Sequence, residues 1–234
     1  MSKASRRLIG FFIVLAIAGT ALATDVWRAK DYKQWDAKDV DKILNDSPWV
    51  KTDEIGKYWT TPAAPGGPAS EGGPPPPTGA VGSTSVFTVR WTSAVTVHRA
   101  VARNAELHNQ GNTDDAEKYA NTASDTYDVA VIGDLTPFGA LDTTDLIDKL
   151  RQGAALDDKD AGKSFTAAKV DLGRGPDGHT LVAVTFHFAK TNSDGTPIFP
   201  ANTKGVDFVC KSGKLEIKAH FDFTKMIGQN GLDL

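Results

Sequence analysis

Leu215-Glu216-Ile217-Lys218-Ala219-His220-Phe221-Asp222-Phe223 is the stretch from which the fold reads most directly. Apolar and polar side chains alternate strictly along it, so an extended strand here has one apolar face and one wet face. Such a strand belongs in an antiparallel sheet that covers a core on one side and meets water on the other. Val206 to Lys211 alternates in the same way just before it, and Ser212-Gly213 between the two reads as a hairpin turn.

Working back along the chain, Phe165 to Leu172 and Thr180 to Ala189 flank Asp177-Gly178 and read as a second hairpin. Leu141 to Leu156 reads as a helix with Leu146, Ile147 and Leu150 inward, and Tyr127 to Ile132 as a short buried strand. Asp114 to Ser124 has the pattern of a weak, polar helix. Ser85 to Trp91 alternates with Phe87, Val89 and Trp91 on one side. Ser93 is placed to cap a following helix that runs to about His108, with Val97, Ala100, Val101 and Ala105 as its packing stripe. Helices early and hairpins late predict an α+β domain over residues 85–234, an antiparallel or mixed sheet with helices packed on one face.

Residues 62–84 separate this domain from what precedes it. Residues 62–83 hold seven prolines and six glycines, with almost no large apolar side chain. Such a stretch buries too little to offset its ordering entropy and reads as a linker or long loop. Residues 24–61 form an aromatic-rich helical arm carrying four of the five tryptophans, Trp27, Trp35, Trp49 and Trp59. Asp36 is placed to cap a helix over Ala37 to Leu44, which Asn45-Asp46-Ser47-Pro48 ends. An arm this short cannot bury its aromatic surface alone. It docks either on its own domain or on another molecule. Closing a linker of some 20 residues costs only about 2 to 3 kcal/mol, which favours its own domain. If the arm faces outward instead, Trp27, Trp35 and Trp49 are the candidate partner contacts.

Residues 1–23 have a basic start (Lys3, Arg6, Arg7), an apolar run and small residues at Ala21 and Ala23, the pattern of a cleaved signal peptide. The expected location is therefore periplasmic or extracellular. Removing the leader takes three basic residues and no acidic ones, leaving a formal charge of −6. An acidic exported chain is poorly suited to nucleic acid or to an anionic bilayer, and neither is expected as a partner. Cys210 has no intramolecular partner and alternates with Val206 and Phe208, which makes it a small buried hydrophobe.

Searches for chemistry return little. None of His98, His108, His179, His187 and His220 stands in a zinc-hydrolase spacing, and no serine occupies a nucleophile elbow. Asp160-Ala161-Gly162-Lys163-Ser164 mimics the end of a phosphate loop but has Asp157 where the opening glycine belongs. Gly173-x-Gly175 leads into a turn and a strand where a dinucleotide site needs a helix. Asn192-Ser193-Asp194-Gly195 reads as a turn. His187 lies on the more polar face of its strand. If that strand neighbours the last one, His187 approaches His220 near Asp222 or Glu216, a set able to hold zinc. Scattered surface polarity is the preferred reading, so no metal, cofactor or catalytic residue is assigned. Arg99 and Arg103, one helical turn apart with His98 and Glu106 nearby, are candidate contacts for an anionic ligand, or else a solvated face with an Arg103–Glu106 ion pair.

Three motifs resemble a group of uncharacterised exported bacterial proteins. They are Trp35-x4-Val40-x2-Ile43-Leu44-x-Asp46-Ser47-Pro48-Trp49, then Val89-Arg90-Trp91-x-Ser93-Ala94 leading to Arg99 and Arg103, and Phe221-x-Phe223-x-Lys225-Met226 near Gly231-Leu232-Asp233-Leu234. The resemblance covers about a third of the chain and implies no activity, so no functional residue follows from it. The expected function is a soluble, non-catalytic binding or assembly module of the cell envelope, acting on an envelope protein or a small ligand. The alternatives are an exported hydrolase or metal-dependent enzyme, and a small-ligand carrier.

Overall fold

A computed structural model describes residues 25–55, 85–133, 135, 144–178, 180–213 and 215–234. The expected leader, 1–23, and the Pro/Gly-rich stretch, 62–84, lie outside the described residues. The order of elements is α1 (Val26–Ala29), a 3-10 turn (Tyr32–Gln34), α2 (Ala37–Asn45), β1 (Val50–Ile55), β2 (Ser85–Trp91), α3 (Val95–Leu107), α4 (Thr113–Asn121) and β3 (Thr126–Gly133). It continues with α5 (Thr144–Gly153), β4 (Ala154–Asp158), β5 (Lys163–Thr166), β6 (Lys169–Arg174), β7 (Leu181–Ala189), β8 (Gly205–Ser212), β9 (Leu215–Asp222), β10 (Ile227–Gly228) and β11 (Gly231–Leu232). No helix among the described residues is long and apolar enough to cross a membrane.

The fold is α+β, and its sheet divides into two. One sheet has the order β1-β2-β3-β7-β6, the other β5-β4-β8-β9, and every pairing is antiparallel. Their apolar faces meet through Phe186 and Phe208 (ring centroids 5.3 Å apart), Phe188 and Phe208 (6.4 Å), and Trp91 and Phe221 (5.2 Å). The strand expected over Phe165 to Leu172 is split between them. Ala167 N donates to Ala154 O of β4 and Ala168 N donates to His187 O of β7. Successive amides of an extended chain point to opposite edges, so β4 and β7 flank one bent strand that joins the two sheets. At the opposite margin β1 runs close beside β9. The α5 helix touches both β6 and β8 and so bridges the sheets.

The helix expected over Leu141 to Leu156 is shorter. Its described part, α5, ends at Gly153, whose missing Cβ would collide with the Lys211 carbonyl of β8. Ala154–Asp158 becomes a strand between β5 and β8. Leu146 and Leu150 are buried as the pattern predicts.

The arm packs into the same hydrophobic core as the domain. Asp36 caps α2 as expected, accepting from Lys38 N and Asp39 N, with the Asp39 carboxylate returning to Asp36 N. After Pro48 the arm contributes β1, an edge strand paired along β2, which its sequence does not announce. Ile55 and Ser85, on either side of the residues left undescribed, are cross-strand partners. Ser93 is not the cap of α3. Its hydroxyl accepts from Asp128 N at 3.1 Å, Ala94 occupies the N-cap, and the Asp233 carboxylate receives Val95 N at 2.7 Å and Thr96 N at 2.8 Å.

Candidate functional site

The candidate partner contacts are spent inside the molecule. Trp27, Trp35 and Trp49 are 3%, 1% and 0% exposed, so in this packing none offers a face to a partner. The reason is the apolar area of three indoles, which the arm buries against α3, β2 and the last residues of the chain. Trp49 Nε1 donates to Asp233 O at 2.7 Å. By contrast Trp27 Nε1, Trp35 Nε1 and the Tyr32 hydroxyl are buried with no hydrogen-bond partner among the described residues.

Arg99 and Arg103 serve the same junction. Arg103 Nε donates to Trp35 O at 2.9 Å, and its Nη1 meets Glu106 at 2.9 Å, the ion pair expected from the sequence. Arg99 Nη1 donates to Gln229 Oε1 at 2.9 Å, and its guanidinium lies over the Tyr32 ring, 5.6 Å from the centroid. Gln229 in turn donates to Lys30 O. Arg90 donates to Leu44 O, with Nε at 3.0 Å. Arg99 and Arg103 thus hold the arm, Arg103 through the Trp35 carbonyl and Arg99 through Gln229 and the Tyr32 ring, while Arg99 Nε is buried with no hydrogen-bond partner among the described residues.

The two histidines weighed as zinc ligands lie in different sheets, His187 on β7 and His220 on β9. Among the described residues no cluster of three or more metal-ligating side chains forms. Each histidine instead sits in its own polar row. On the first sheet, register places Asp128, His187 and Lys169 directly across β3, β7 and β6. His187 Nδ1 is 2.7 Å from Asp128 Oδ1 and Nε2 is 3.0 Å from Asp171 Oδ2. Asp128 also accepts from the Ser124 hydroxyl at 2.8 Å and the Thr126 hydroxyl at 2.6 Å. Lys169, 2.6 Å from Asp171, and then the His187 ring hold the Asp171 carboxyl below its usual value, against a smaller opposing effect of burial.

On the second sheet, Asp157, Asp207 and His220 are consecutive partners across β4, β8 and β9. Two carboxylates directly opposite one another repel, and their neighbours offset this. Asp157 accepts from the Ser164 hydroxyl at 2.6 Å, while Asp207 meets His220 Nδ1 at 2.6 Å and is ion-paired to Lys159. Burial pushes the Asp207 carboxyl up, but Lys159 and His220 outweigh it and leave the group below its ordinary value. This row floors an open cleft of about 420 Å³ whose rim includes Asp160, Lys204, Asp222 and Thr224. The His220 side chain is 67% exposed. Gly205 is required at the edge of the cleft because a Cβ there would strike the Phe221 carbonyl of β9.

The remaining sequence candidates take structural roles. Cys210 is fully buried, and burial pushes its thiol up to about 12. The phosphate-loop mimic leads from a turn into β5, so no helix N-terminus faces it. Asp194 accepts from Thr196 N at 2.9 Å within a turn.

Sequence reading missed Asp128, Asp171, Asp157, Asp207 and Lys159. A signal for one pair was present. Gly213, at φ 61°, lies in the β8–β9 turn, and Ser212 pairs with Leu215, so Asp207 falls opposite His220. Placing the turn at Ser212-Gly213 keeps every side chain on its correct face but shifts each partner by two residues. No family model, curated protein or solved structure matches this chain.

Proposed function

We propose that the protein is an exported, non-catalytic binding module of the cell envelope that takes a polar ligand on the outer face of the β5-β4-β8-β9 sheet. The observation that carries this reading is the cleft over Asp157, Asp207 and His220. Its side chains are held in place by one another before any ligand arrives, on a rigid three-strand floor. Its rim presents both signs of charge, Lys204 and Lys159 beside Asp160 and Asp222, together with the Thr224 hydroxyl. That combination suits a ligand with many hydrogen-bonding groups and balanced charge, such as an envelope saccharide or a short zwitterionic peptide. Export rests on the leader pattern of residues 1–23, and the resemblance to exported bacterial proteins on the three motifs, which are linked by the bonds Trp49–Asp233, Arg90–Leu44 and Arg103–Trp35.

The rival readings draw less support. In a hydrolase with an Asp-held histidine, the free imidazole nitrogen receives the nucleophile's proton. At His187 that nitrogen faces the Asp171 carboxylate, and at His220, held by Asp207 through Nδ1, no hydroxyl or thiol among the described residues is hydrogen-bonded to the ring. A carrier needs enclosed apolar space, and aromatic side chains fill the space between the sheets.

The test is a titration of the whole protein with soluble cell-wall saccharide and, separately, with cell-wall peptide, followed by amide chemical shifts. The expected perturbations fall on β4, β8 and β9, and are lost in Lys204→Glu and His220→Ala. Perturbations confined to other surfaces, or breakdown of the added ligand, would overturn the reading.

A further inference from the structure

His187 stands between two carboxylates, one from each neighbouring strand, and this has a chemical consequence. A carboxylate only accepts hydrogen bonds, so the ring can satisfy Asp128 at 2.7 Å and Asp171 at 3.0 Å together only with a proton on each nitrogen. When one proton leaves, a lone pair must face one of the carboxylates. The surroundings decide which. Asp128, with its side chain 15% exposed, is held by the Ser124 and Thr126 hydroxyls and has nowhere to turn. Asp171, with its side chain 50% exposed, has Lys169 at 2.6 Å and water as alternatives. The remaining proton therefore stays on Nδ1, and the contact to Asp171 breaks.

We propose that His187 is a proton-controlled tie on the first sheet: doubly protonated, it holds β3 and the edge strand β6 together across β7, and singly protonated, it leaves β6 held by its backbone ladder to β7 alone and so looser. The loosened strand is a consequential one, because β6 continues β5 through the bend at Ala167 and Ala168 and so joins the two sheets. The ionisable groups around the ring are Asp128 on β3, and Lys169 and Asp171 on β6. Farther out, Tyr119 of α4 and Lys190 beyond β7 feel the charge of Asp128, and Lys190 also feels Asp125 and Asp233. The direction follows from the bonds. The tie is closed at acid pH, where the ring carries two protons and Asp171, held low by Lys169, is still ionised. It opens when the ring holds only one. The inference stands independently of the cleft on the other sheet.

Amide hydrogen exchange over Lys169–Arg174 in the whole protein, measured from acid to alkaline pH across the range in which the protein stays folded and corrected for the intrinsic pH dependence of exchange, tests it. Protection of β6 is expected to fall about two- to fivefold as pH rises, the scale of one half-exposed cross-strand ion pair. Asp171→Asn, at an exposed edge position, is expected to abolish that fall while leaving protection of β3 unchanged, and His220→Gln to preserve it. Ring nitrogen shifts at the upper pH are expected to place the proton on Nδ1. A flat profile in the natural protein, an undiminished fall in Asp171→Asn, or a proton on Nε2 would each overturn the proposal.

Discussion

Truncating Asp233 to alanine removes the cap of a helix from 138 residues away in sequence. The α3 helix begins after Ala94, whose side chain cannot accept a hydrogen bond, so its first amides depend on the Asp233 carboxylate. Both bonds, at 2.7 and 2.8 Å, are charge-assisted, and the carboxylate also sits at the positive end of the helix dipole. Loss of an N-cap costs about 0.5 to 2 kcal/mol and a hydrogen bond to a charged group about 1.5 to 3. We therefore expect Asp233→Ala to lower stability by about 2 kcal/mol. Asp233→Asn keeps one acceptor oxygen and loses the charge, and is expected to cost about half as much. For a protein of this size that corresponds to falls in Tm of roughly 4 to 8 °C and 2 to 4 °C. The bond from Trp49 goes to the Asp233 backbone carbonyl and survives either change, so the effect is one of helix capping and not of arm release. Thermal and urea unfolding followed by tryptophan fluorescence give the total, and exchange of the Val95 and Thr96 amides gives the local effect. At about 1 M salt, where charges are screened beyond roughly 3 Å, the difference between the two variants should shrink. Asp233→Ala within 0.5 kcal/mol of the natural protein, or unchanged exchange at Val95 and Thr96, would refute the capping argument.

Two further outcomes follow from buried groups. Tyr32→Phe deletes a buried hydroxyl that has no partner among the described residues, so it should leave stability unchanged or raise it by up to about 1 kcal/mol, read from the urea midpoint; a loss above 1 kcal/mol would mean the hydroxyl is satisfied. Cys210, fully buried with its thiol pushed up to about 12, should resist thiol reagents at pH 8 until the chain unfolds. Because its folded value lies above the ordinary thiol value of 9.0, its contribution is complete below about pH 9 and is lost as pH rises toward 12, at about 1.4 kcal/mol per pH unit. Cys210→Ala should lack that part of the alkaline decline, and an identical decline in both proteins would contradict the assignment.

Much of the fold was legible where one residue type decides one local geometry. Asp36 announces α2, and the alternations of β2 and β9 place Phe87, Val89, Trp91 and Ile217, Ala219, Phe221 inward as found. The readings that failed depended on a distant neighbour. Ala154–Leu156 looks helical by continuation from α5, yet Gly153 pressed against the Lys211 carbonyl ends the helix and two flanking strands take up Ala154–Asp158. Ser93 has the side chain of a cap, but the Asp128 amide claims it and Asp233 does its work. Of the candidate site, His187 and His220 were visible as polar positions on strands. Their partners Asp128, Asp171 and Asp207 depend on strand order and register, which a local pattern does not carry.

The sequence by itself determined the α+β class, the α2 helix and the burial of Cys210, because these follow from periodicity, capping and burial preference within short windows. The tertiary structure decided the rest. It turned Trp27, Trp35 and Trp49 from a candidate recognition surface into core, since their apolar area joins one cluster with residues of α3, the two sheets and Leu234 that lie far away in sequence. It also set His187 and His220 in separate sheets, each beside carboxylates of other strands, because cross-strand pairing joins residues by register rather than by distance along the chain.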